Sequence, residues 1–139
     1  MKASDELMIR FYQHLGALFF AIAKADGMVR PEEEIRLKML IDEDWLKLEG
    51  STDEFLSDAA YQMEIVFQNL HEGFTNSETA YEGFKDFKRN HNHLFTPAVN
   101  GLILKTANAI ASAFHGKNKS ELGMLFQLEQ LIKDRCHLL

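Results

Sequence analysis

The chain has 139 residues, 46% of them hydrophobic, and a formal net charge of −6. It is long and apolar enough to bury a proper core as one domain, 1–139, which excludes a disordered chain and a small disulfide-stapled scaffold. Two prolines, eight glycines and few β-branched residues favour an all-α protein, and the lone Cys136 cannot close an internal disulfide.

The elements follow in order from hydrophobic periodicity and helix signals. Ser4 or Asp5 caps a first helix whose apolar face is Leu7, Phe11, Leu15, Leu18, Ile22 and Ala25, at spacings of three and four. Phe19 and Phe20 widen that face, so burial on most sides is expected. The pattern stops at Asp26-Gly27, where glycine supplies the positive φ that ends a helix. Pro31 then opens a second helix, its missing N–H costing nothing at that position. Glu32, Glu33 and Glu34 fill the first turn, where the helix dipole favours negative charge. This helix runs to about Leu48, with Ile35, Met39 and Leu40 as its expected buried stripe, joined by Leu37, Ile41, Trp45 and Leu48.

Ser51 or Thr52 caps a third helix over 53–71 through Phe55, Leu56, Ala59, Ala60, Met63, Val66, Phe67 and Leu70. A fourth starts at Asn76 or Ser77 and reaches Asn90, with Tyr81, Phe84 and Phe87 on one face. That aromatic face reads as core before it reads as a partner surface. Thr96-Pro97 caps and opens a fifth helix to about Phe114, and His115-Gly116 stops it. Ser120 caps a sixth, with the stripe Leu122, Leu125, Leu128, Leu131 and Ile132. The expected fold is therefore a single compact bundle of about six helices.

Charge is unevenly spread. Asp26 to Glu78 holds 14 acids and 4 bases, whereas Thr79 to the end holds 5 acids and 8 bases. An acidic half argues against nucleic acid as the main partner and suits a solvated face, a cation or a basic protein surface. The run Leu15–Ala25 ends in Ala-Lys-Ala like a signal-peptidase site, but Asp5, Glu6 and a long amphipathic lead-in argue against secretion. No apolar run reaches the ~18 residues that span a bilayer. The expected location is the cytoplasm.

The first and last corners match. With an offset of 89, Ala21 aligns with Ile110, Gly27 with Gly116 and Glu32 with Glu121, as two related hairpins at the ends of the chain would. With both corners in view, the chain resembles the tellurite-resistance TerB-like family. The residues that carry the resemblance are Ala23-Lys24-Ala25-Asp26-Gly27-Met28-Val29-Arg30-Pro31-Glu32-Glu33, against the family signature AxADGxVxxxE. His115 and Asn118 depart from the family's weaker echo in the last hairpin. The resemblance implies an all-α domain linked to tellurite and other bacterial stress responses, without an enzymatic reaction. It implies adaptor roles near membrane-linked stress machinery, with protein partners. It also implies a divalent cation at the acidic corner, held by Asp26 and by Glu32 or Glu33; His115 and Glu121 are the candidate contributors from the second corner.

The residues themselves temper the cation. Asp26, Gly27, Val29 and Glu33 match the later half of an EF-hand loop, but the first two ligand positions fall on Ile22 and Lys24. Calcium takes roughly six to eight oxygens, so this loop alone is not an EF-hand. The competing expectation is that Asp26 caps the second helix while Glu32–Glu34 complement its dipole. His91-Asn92-His93 could pair on zinc with His71 or His115, or belong to an HNH nuclease, but a solvated loop is the expected reading. No phosphate-binding glycine loop, nucleophile elbow or zinc-type cysteine pair occurs. Two other classes stay open: a metal-dependent enzyme built on Asp26, Glu32, Glu33 and His115, and a structural protein that dimerises through an exposed helix.

Overall fold

The computed structural model describes residues 5–48, 59–73, 75–113 and 119–133. Its architecture is all-α, a compact helical bundle, with no strand among the described residues. The helices are α1 (Asp5–Lys24), α2 (Pro31–Leu40), α3 (Gln62–Glu72), α4 (Ser77–Asn90), α5 (Pro97–Ala111) and α6 (Lys119–Lys133). The expected Phe55 and Leu56, the corner His115-Gly116 and Cys136 lie outside the described residues.

α1 is the axis of the bundle. Phe11, Tyr12, Leu15, Leu18, Phe19, Phe20 and Ile22 are all buried, so the helix is apolar nearly all round, as a central helix must be. α3 and α4 cover it most extensively, with α5 and α6 closing the remaining sides. The closest approach is at Gly16, where an added Cβ would stand 2.5 Å from the carbonyl oxygen of Met63. Phe84 and Phe11 both meet Phe95 edge-on at 5.8 and 5.6 Å, so the α4 aromatic face is core, as expected.

α2 continues through a π-helical turn (Ile41–Trp45) into a last helical turn (Leu46–Leu48). Its buried side chains are Glu33, Leu37, Ile41 and Trp45, four residues apart throughout, with Leu40 beside them. At 3.6 residues per turn, a step of four overshoots one turn by about 40°, so such a row drifts off the core. The wider π turn returns Trp45 to it. There Trp45 Nε1 donates to Thr106 Oγ1 of α5 at 3.0 Å, and Asp44 pairs with Lys105 at 2.7 Å.

This phase corrects one expectation. Ile35 and Met39, assigned to the buried stripe, are 57% and 45% exposed. Leu37, Leu40, Ile41 and Trp45, also assigned to the buried side, do face the core, and the two apolar side chains half a turn from Leu37 face solvent. Leu122 is likewise 51% exposed, because α6 turns Glu121, Met124, Leu125 and Leu128 inward.

Caps follow the sequence signals at α4 and α5. Asn76 Oδ1 accepts the Thr79 N–H at 2.7 Å, and Thr96 Oγ1 accepts the Val99 N–H at 3.2 Å. Ser77, the other cap candidate, has a tertiary role. Its hydroxyl donates to the Ala21 carbonyl at 2.8 Å and lies 3.5 Å from Met124 Sδ, tying α4 to α1 and α6. No helix among the described residues is long and apolar enough to cross a membrane.

Candidate functional site

The corner between α1 and α2 is built from short-range contacts. The Gly27 N–H donates to the Lys24 carbonyl at 2.8 Å, and its φ of +92° turns the chain out of α1. Asp26 Oδ1 accepts the Met28 N–H at 3.1 Å, a side-chain mimic of a backbone turn. Asp26 Oδ2 accepts from the Arg30 guanidinium at 2.8 Å. That hydrogen bond, reinforced by the charges of Asp26, Glu33 and Glu121, raises the Arg30 pKa above its ordinary value.

Asp26 therefore organises the loop and does not cap α2, contrary to the capping expectation. Arg30 stands at the cap position in extended backbone and offers no capping side chain. The job passes to Glu33, whose Oε1 accepts the Arg30 N–H at 2.7 Å, the reciprocal half of a capping box.

Glu33 also faces the other end of the chain. It and Glu121 are each 1% exposed, and their carboxyl groups hydrogen-bond to one another. Two carboxylates can do this only by sharing a proton, as like charges at contact distance cannot both ionise. Burial is the largest cause lifting Glu33 to about 8; the Arg30 N–H opposes it, and the hydrogen bond and charge of Glu121 add to it. The Arg30 charge completes the cluster. Asp26, Arg30, Glu33 and Glu121 thus join the first corner to the start of α6.

The residues that meet refine the duplication. Glu33 and Glu121 are 88 residues apart, one short of the offset of 89 that aligns the two glycines. Glu32 is exposed and stays outside the cluster, and His115 lies outside the described residues.

Among the described residues, no three His, Cys, Asp or Glu side chains cluster as a metal site requires. The donor set there offers a cation two buried carboxylates, with Asp26 already committed to Arg30. His91 stacks on Phe87 at 4.3 Å and its Nδ1 lies 3.1 Å from the Phe87 carbonyl, as part of the turn Asn92–Leu94. His71 sits elsewhere, in a cleft of about 250 Å3 walled by Val29, Arg30, Pro31 and Glu34 beside the first corner.

Comparison with family models, with curated proteins and with solved structures returns no match.

Proposed function

We propose that this chain is a non-enzymatic helical binding module of the TerB-like type, acting as an adaptor for protein partners in a cellular stress response. The observation that carries the reading is the meeting of the first corner with α6 through two buried glutamates, Glu33 and Glu121. Related hairpins at the two ends of a chain are expected to pack together, and the contact of Glu33 with Glu121 supports that packing. An enzyme would need ligands and a cleft to converge. The cleft beside the corner is walled by Val29, Arg30, Pro31, Glu34 and His71, without Glu33 or Glu121. Deleting the gene in its native host and scoring survival on tellurite and on oxidants tests the proposal. Sensitivity rescued by the wild type, but not by the E33A/E121A double variant, is expected. Survival indistinguishable from the parent removes the stress role.

A second reading is favoured by the burial of both glutamates. A divalent cation replaces the shared proton, with Glu33 and Glu121 as its two buried ligands and water completing the shell. Calorimetry with calcium, magnesium, manganese and zinc, in buffers of different ionisation enthalpy, would then show binding coupled to proton release, lost in E33Q and E121Q. No heat and no thermal shift in the wild type removes the cation.

A further inference from the structure

We propose that two copies of this chain pair through α6, antiparallel about a twofold axis, with Leu122 of each copy against Phe126 of the other. These are the two large apolar side chains that α6 leaves in solvent, 51% and 63% exposed. Glu121, Met124, Leu125, Leu128 and Ile132 form the buried face of the helix, and Leu122 and Phe126 point away from it. They belong to a stripe, Lys119, Leu122, Phe126, Glu129 and Lys133, whose spacings of four and three are those of a two-helix seam. Gly123 is exposed beside Leu122, and a Cβ there would meet nothing within 4 Å. It leaves a notch for an incoming aromatic ring.

The charges on the stripe choose the occupant. Lys119 is exposed and Glu129 half-buried, and neither is in an ion pair among the described residues. When an antiparallel pair sets Leu122 against Phe126, Lys119 of each copy faces Glu129 of the other. Both ends of the contact then close on opposite charges. Other arrangements do not. A parallel pair sets Lys119 against Lys119 and Glu129 against Glu129. An antiparallel pair slid to place Phe126 on Phe126 sets Lys119 against Lys133. A stripe that complements itself in charge and in apolar content identifies a second copy of the chain as its partner. The charges of α4 alongside, Glu82, Lys85, Asp86 and Arg89, sum to zero and select no register. Lys133 continues the stripe beyond the paired stretch. A twofold contact uses the same surface on both copies, so association stops at the dimer. The stretch from Lys119 to Glu129 spans ~15 Å of helix, less than a standard interface, so the dimer is weak, with a midpoint on the order of 0.1 mM. This contact does not depend on the pairing of Glu33 with Glu121.

Analytical ultracentrifugation of the full chain with variants on the stripe tests the proposal. The wild type should rise from the mass of one chain to that of two as concentration passes through about 0.1 mM, and no further. F126E should remain monomeric. K119E and E129K should each weaken association on the order of tenfold, because each sets like charges together at both ends of the contact. The double variant K119E/E129K restores opposite charges at both ends and should dimerise as the wild type does. The two single variants, mixed, should form a 1:1 pair for the same reason. Circular dichroism checks that every variant is folded. A wild type that stays monomeric at about ten times that concentration in low salt overturns the proposal. So do single charge variants that dimerise like the wild type, which would place the contact on another surface, or a folded double variant that stays monomeric.

Discussion

Replacing Glu33 by glutamine separates the two things that side chain does. The amide oxygen can still accept the Arg30 N–H, held now at 2.7 Å, and the amide N–H2 can still donate to Glu121. What is removed is the proton equilibrium. In the folded wild type the Glu33 carboxyl is raised from 4.5 to about 8, mainly by burial. The folded state therefore holds a proton that the unfolded state has released across that window, so stability must fall as pH rises from 4.5 towards 8. The stabilisation is fully present below the unfolded value and lost through the folded one. Integrated from pH 5 to pH 8 at about 1.4 kcal/mol per unit, the loss for one such group comes to about 3 kcal/mol. E33Q lacks this slope. The assay is denaturant unfolding at pH 5, 6, 7 and 8, followed by the fluorescence of the buried Trp45. The difference in stability, variant minus wild type, should grow by about 3 kcal/mol across that range, while other titrating groups cancel in the subtraction. Parallel profiles would show that the two carboxyls do not share a proton, and a uniform loss in E33Q would show that Glu33 acts only as a cap.

Three further substitutions test the packing that positions the corner. Gly16→Ala drives a methyl group into the Met63 backbone and should cost about 1–3 kcal/mol by chemical denaturation, with α1 and α3 forced apart. Gly27→Ala meets nothing within 4 Å, so only the strain of φ +92° remains, and a smaller loss of about 1 kcal/mol is expected. If Gly27→Ala proves the costlier of the two, the close approach of α1 to α3 is not what fixes residue 16. Thr106→Val keeps the shape of the side chain but strands the buried Trp45 indole N–H, and should cost about 1–3 kcal/mol in the same unfolding experiment.

The sequence by itself determined the helices, their order and the ends at Gly27, Pro31, Ser77, Asn90 and Pro97. Those signals are local: an Asn or Thr side chain reaches N–H groups within its own turn, proline fits the first helical position and Gly27 reverses the chain whatever surrounds it. The buried face of α1 was legible for a related reason, since seven large apolar residues on most sides of one helix leave few of its positions exposed. The phase of α2 was not. Ile35 and Leu37 are equally apolar and lie in the same helix. Which of them faces inward depends on the π turn that returns Trp45 to Thr106 and on the ridges of α5. The acids divide in the same way. Asp26, Glu32 and Glu33 share one corner and one helix dipole, so local chemistry ranks them alike. Only the arrival of α6, from 88 residues away, pairs Glu33 with Glu121, while Glu32 stays exposed and Asp26 is held by its local contact with Arg30. Burial then does what no sequence window can encode: it turns one ordinary glutamate into a group that shares its proton near neutral pH.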